Sequence, residues 1–201
     1  RTVTNVTPTA DFRWKISKLS QLRFTYRGNT SQPSMTDLLD ITDDSNPLNV
    51  KKGNPGLKPS FTQNFRLFYN NYIQNHQRSI MAHLMFSTTD NSISNMVTYD
   101  KTTGGRTTRP ENINGNWNAF GMFMFNTAID TAAYFNVNTF TTVNYSNSVG
   151  YVSVDKADSQ KSTTRTTNLS ERIAASYRND WLEFELNGSL SYMHARSKLQ
   201  A

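Results

Sequence analysis

Long stretches of this chain alternate apolar and polar residues with a period of two. Leu22, Phe24 and Tyr26 lie on one side, and Gln21, Arg23, Thr25 and Arg27 on the other. The same beat returns at Phe65–Leu67–Tyr69, at Ile80–Ala82–Leu84–Phe86 and at Leu182–Phe184–Leu186–Gly188–Leu190–Tyr192. Successive side chains leave opposite faces of a pleated strand, so a period of two specifies β structure with one apolar face. Several runs exceed the five or six residues typical of soluble strands. Crossing a bilayer at a tilt takes about nine to eleven residues per strand.

Eight runs are expected, at about 9–17, 21–30, 61–72, 78–89, 106–127, 132–146, 163–177 and 181–196. The fourth resumes through Ile93–Tyr99 after a break, and the best-defined part of the fifth is Trp117 to Phe125. The links at Lys18–Ser20, Ile73–Gln77, Ala128–Thr131 and Arg178–Asp180 are short. Asn179 and Asp180 suit the left-handed geometry of a hairpin turn. Two links, Ser31–Pro59 and Asn147–Ser162, are long and polar. The first holds four of the six prolines, which forbid a continuous strand or helix there. It leaves room for one helical turn at Met35–Leu39 with Ser34 as its cap. Asp100–Gly105 reads as a turn of intermediate length, with Gly104 and Gly105 supplying positive φ.

Short and long links thus alternate. An up-and-down barrel sorts its connections in this way, with tight turns on one rim and loops on the other, whereas a sandwich has no reason to. The expected fold is all-β: an antiparallel up-and-down transmembrane barrel, with about eight strands of a larger one. The final run puts Leu182 to Tyr192 toward lipid and Trp181, Glu183, Glu185, Asn187 and Ser189 toward the lumen. Trp14, Tyr26, Tyr72, Tyr99, Trp117 and Tyr192 stand near the ends of runs, where interfacial belts need aromatics.

Composition is compatible with this reading. Hydrophobic residues make up 36% of 201 and mean hydropathy is −0.63. No long apolar run exists, which excludes a membrane helix but not a barrel, whose polar lumen face lowers the mean hydropathy. Twelve per cent aromatic residues argue against disorder. The absence of cysteine removes disulfides and thiolate chemistry. The +6 charge is spread thinly, with no run beyond Lys51–Lys52, so nucleic acid is not an expected partner. The chain opens at Arg1, already within the pattern. It is therefore expected to be an internal piece of a longer protein, one partial barrel domain over 1–201 without a plug.

No enzyme motif is present: neither G-x-S-x-G, nor a phosphate-binding loop, nor a dinucleotide fingerprint. His76, His83 and His194 lack ligand spacing, and no metal or other cofactor is expected. Asp40, Asp43, Asp44 and Asn46 are rich in oxygen but lack EF-hand spacing, and Asx turns explain them more simply. Glu183 and Glu185 read as lumen-facing charge rather than an acid–base pair.

The most specific string is Gly53–Asn54–Pro55–Gly56–Leu57–Lys58–Pro59. Asn-Pro-Gly makes a turn, Leu57 is free to pack, and Pro59 sets an extended approach to the strand at Phe61. Ahead of it stand Leu22–Tyr26, Pro33-Ser34 with Leu38 and Leu39, and Asn46-Pro47-Leu48; downstream come Ile93–Asp100 and Ile113–Gly121. This order resembles the barrel region of TonB-dependent outer-membrane proteins of the Bacteroidetes type, with Ser60 in place of the usual acidic residue. The motif residues Gly53, Asn54, Pro55, Leu57, Lys58 and Pro59 are structural in that resemblance. It implies a transporter of a bulky nutrient in the outer membrane of a Gram-negative cell. Its implied partners are outer-membrane lipid, the TonB complex acting through a plug absent from this sequence, and a surface lipoprotein. A self-contained eight-stranded anchor or adhesin and a soluble glycan-binding β-sandwich are the alternatives. The ligand is not readable.

Overall fold

The computed structural model describes residues 2, 4–130, 132–153 and 157–200. Arg1 and Ala201, Thr131 in the expected 128–131 link, and residues 154–156 in the expected 147–162 loop lie outside the described residues. So does the side chain of His76.

Eight strands form one antiparallel sheet. In chain order they are β1 (Thr9–Ser17), β2 (Ser20–Ser31), β5 (Ser60–Ile73), β6 (Arg78–Asp90), β9 (Asn116–Ala128), β10 (Phe135–Val152), β11 (Gln160–Arg178) and β12 (Glu183–Gln200), and each pairs with the next. Among the described residues β1 and β12 are not paired to each other, so the sheet is an open arc. A second, four-stranded sheet is built from the two longest connections. It contains β3 (Thr42–Asp43), β4 (Asn49–Lys52), β7 (Ser92–Tyr99) and β8 (Arg106–Ile113), in the order β3-β4-β8-β7.

Register carries the alternation across the whole arc, because residues directly opposite in a ladder share a face. One such row is Tyr26–Phe65–Phe86–Ala119–Tyr145–Thr167–His194. Two residues lower, Phe24–Leu67–Leu84–Gly121–Val143–Leu169–Tyr192 share the same face. Among the described residues, this face is bare below the upper rim, where Val149 packs under Gly115. Leu186 and Leu190 are 63% and 66% exposed, and the buried apolar residues number only Leu57, Ile113, Ala128 and Val149 among those described. The accessible surface is 13897 Å², against about 9,600 Å² for a compact soluble chain of this mass. A one-layer sheet with a bare apolar face demands an apolar solvent.

Several expectations need correction. The expected Arg106–Thr127 run is two strands. Gly115 breaks it at φ +119°, where a Cβ would sit 2.8 Å from Val149 Cγ2. Ile93–Tyr99 does not continue β6; it turns out of the arc to pair with β8. Much of the expected Asn147–Ser162 loop is strand: β10 continues to Val152 and β11 begins at Gln160. Ser, Thr and Asn satisfy a ladder as well as apolar residues do, but outside an apolar medium they leave no two-residue signal. Trp181 and Leu182 belong to the last turn rather than to a strand, because Asn179 Oδ1 accepts from both their amides, at 3.0 and 2.7 Å. The short helix α1 (Met35–Leu38) sits where expected, with Ser34 Oγ accepting from the Asp37 amide at 3.2 Å.

Candidate functional site

The GNPGLKP segment fastens the two long connections together. Gly53 passes so close to Leu39 that a Cβ there would lie 1.7 Å from its carbonyl oxygen. Asn54, 4% exposed, is the hub. Its Nδ2 donates to the Pro110 carbonyl at 2.9 Å, and its Oδ1 accepts from Arg109 Nη2 at 2.9 Å and from the Gly56 amide at 3.0 Å. Its own amide donates to the Asp37 carbonyl at 2.6 Å. Pro55 and Gly56 make the turn, and Leu57 is wholly buried. The Lys58 amide donates to Asn112 Oδ1 at 2.8 Å, and Asn112 Nδ2 returns a bond to the Lys58 carbonyl at 3.0 Å. Pro59 then leads into β5. The segment therefore holds α1, β4 and β8 together as one cap at the rim that carries the long connections.

The cap is also tied to the far strands. Ser159 and Val97 exchange two bonds, at 2.7 and 2.8 Å, and Asp158 Oδ1 accepts from the Tyr99 amide at 2.8 Å. Tyr99, expected in an aromatic belt, is thus in the cap. Tyr72 lies on the polar face, opposite Ser79 in the ladder. The oxygen-rich 40–46 segment forms Asx turns: Asp43 Oδ1 accepts from the Ser45 amide and hydroxyl, and Asn46 Oδ1 from the Leu48 amide. Those donors, the Ser45 hydroxyl first, hold the Asp43 carboxyl below its ordinary range. Asp100 is lowered likewise, chiefly by the Thr102 amide, with Thr103 adding to it.

On the apolar face, rings form a continuous ladder near the capped rim. Tyr26–Phe65, Phe65–Phe86, Phe86–Trp117 and Trp117–Tyr145 have centroids 4.9, 6.0, 5.7 and 5.1 Å apart. A second cluster, Phe135–Tyr177 at 4.7 Å with Phe184 opposite Tyr177, marks the other rim. Phe135 to Tyr145 covers about 34 Å of strand, or about 25 Å of height at the usual barrel tilt, matching the apolar band of a membrane barrel.

The decisive comparison is with protein families. The model for an outer membrane protein beta-barrel family matches residues 1–201. The chain belongs to this outer membrane protein beta-barrel family. No curated protein and no solved structure gives a significant match. The barrel's place is the outer membrane, and its apolar face meets lipid. The soluble sandwich reading is thereby set aside.

The other face of this outer-membrane barrel is its lumen wall. On β1, β2 and β5 it carries Arg13, Lys15, Arg23, Arg27 and Arg66. Asp11 takes up Arg23 at 3.1 Å and Arg13 at 3.5 Å. Among the described residues Arg27 and Arg66 have no carboxylate partner. With Thr25, Asn29 and Asn64 they line a recess of about 490 Å³ toward the capped rim. Beside it lies an apolar block that the alternation does not reveal: Phe68, Met81, Met85, Phe120, Met122, Met124 and Phe140 all face the lumen. Here both faces of β6 and β9 are apolar, so a period of two carries no contrast. His83 lies within this block, its ring edge-on to Phe68 at 6.1 Å. His194 is on the lipid side, stacked near Tyr192, so these two histidines do not converge. Glu183 and Glu185 are on the lumen face of β12, near the rim of tight turns.

Proposed function

We propose that this barrel is part of the wall of a TonB-dependent transporter that takes up a bulky nutrient. The observation that carries the reading is the GNPGLKP clip. It keeps two long connections folded together at one rim, an arrangement suited to receiving a solute from outside. On the lumen wall, the Arg27–Arg66 recess offers a solute two amides and two guanidinium groups without a carboxylate partner among the described residues. An arc with unpaired edges at β1 and β12 favours membership of a larger barrel over a closed eight-stranded anchor. The plug, the TonB contact and a surface lipoprotein would be supplied outside these residues.

A strain lacking the protein and a strain lacking TonB are expected to lose uptake of the same nutrient. Normal uptake without TonB would refute the energised step. Heat-modifiable migration of the protein in both strains would separate that result from loss of the barrel itself.

A further inference from the structure

Above the aromatic ladder, the lipid-facing side of β11 and β12 changes character. Arg165 and Arg196 are directly opposite each other in the ladder, in the row of Trp117 and Asn147. Lys198 stands one step higher, opposite Thr163, and Lys161 one step above that, opposite Gln200. Strand parity puts all four cations on the face that carries Leu169 and Tyr192 lower down. The lumen face at the same height holds Ser162, Thr164, Thr166, Ala195 and Ser197, without a charge. A rim merely solvated by water would not sort its charges by face.

The cations also lack internal compensation. None of them forms an ion pair among the described residues. Descending the same face of β11, the first carboxylate is Glu171, six residues and about 20 Å from Arg165. Like charges placed directly opposite in a ladder are destabilising. One guanidinium is nonetheless oriented, with Arg165 Nε donating to Asn147 Oδ1 at 3.4 Å. Asn147 Nδ2 is anchored in turn on the Gly115 carbonyl at 2.7 Å.

We infer that Lys161, Arg165, Arg196 and Lys198 form a binding site for the phosphate of a membrane-lipid head group in the leaflet at the capped rim. Aromatic rings at the edge of the apolar band fix the height of the membrane surface, and the patch begins in the row of Trp117. Two facing guanidinium groups offer forked donors to phosphate oxygens, and the two lysines extend the positive field outward. Lipid tails would then run down the apolar face beside Leu169, Leu190 and Tyr192. This site is distinct from the lumen recess and does not depend on the transport reading.

The test is native mass spectrometry of the full-length protein released from nanodiscs of mixed phosphatidylglycerol and phosphatidylcholine. Wild type is expected to retain phosphatidylglycerol selectively. Arg165→Gln/Arg196→Gln should weaken that retention about fivefold per charge removed. Arg27→Gln/Arg66→Gln, the same charge change on the lumen face, should leave it unaltered. Equal retention in wild type and the outward variant, or equal loss in the lumen variant, would overturn the site. So would displacement of the lipid by millimolar inorganic phosphate, which would make it a general anion site. If the double variant fails to insert, Thr163→Glu places a carboxylate opposite Lys198 within the patch. It should lower retention in the same assay, and unchanged retention there refutes the inference.

Discussion

Replacing Asn54 by alanine tests how the cap is held. The side chain makes three hydrogen bonds, to the Pro110 carbonyl, the Arg109 guanidinium and the Gly56 amide. Each neutral bond contributes about 1 kcal/mol and the charged one about 2, so the loss is about 3–4 kcal/mol. None of these partners belongs to the eight-stranded arc. The cost therefore falls on the local equilibrium between a docked and an undocked cap. The docked fraction should fall so that cleavage within 32–59 and 91–115 rises roughly 10²–10³-fold under limited proteolysis, in the regime where cleavage is slower than reclosing. Heat-modifiable migration, which reports the wall, should be unchanged. Asn54→Asp keeps the acceptor for Arg109 and Gly56 and loses only the donor to Pro110, so it should lie between. Cleavage of Asn54→Ala at the wild-type rate would refute the role assigned to the clip.

Gly53→Ala should give the same proteolytic pattern without removing a hydrogen bond, since its Cβ would collide with the Leu39 carbonyl; a wild-type pattern would contradict this. On β9, Phe125→Arg, near mid-height on the lipid face opposite Thr139, should cost about 2–4 kcal/mol in reversible urea unfolding from vesicles, and Asn126→Arg, one residue away on the lumen face, less than about 1. Equal costs would mean the faces are misassigned. The Asp100 carboxyl is lowered by the amides and hydroxyls of its own turn. Its stabilisation is therefore complete above the ordinary carboxylate value of 3.8 and lost as pH falls through the lower folded value. Amide exchange in 100–105, corrected for intrinsic rate, should be flat from pH 7 to 4 and rise only below; opening by pH 6 would contradict the sign.

The wall was legible because lipid imposes a one-sided apolar pattern on most strands; β11 departs from it, with Glu171 on the lipid side opposite Leu190. β1 occupies the residues that alternation assigns to it, and β5 and β6 differ by one residue at their ends. Legibility failed where that constraint lapses. The upper parts of β10 and β11 stand clear of the apolar band, so Ser, Thr and Asn sit on both faces and read as loop. Strand β7 alternates well enough and β8 does not, but periodicity names no partner in either case, and their departure from the arc is decided by Gly115 and by bonds to residues far away in sequence. The lumen methionines were hidden by apolar neighbours on the opposite face. The GNPGLKP string announced a turn and a buried leucine. Its targets, Pro110, Arg109 and Asn112, are more than 50 residues away and only the fold reveals them.

The absence of native cysteine makes a single-cysteine scan of β10 the most direct test of the central claim. Labels at Val137, Thr139, Thr141, Val143 and Tyr145 should be quenched by a lipid-borne quencher. Labels at Asn138, Phe140, Thr142, Asn144 and Ser146 should respond instead to a water-soluble one, with Phe140 following its neighbours despite its hydrophobicity. A strict period of two in the membrane-embedded protein is the predicted result. Quenching that lacks this period, or that places Phe140 in lipid, would contradict the account.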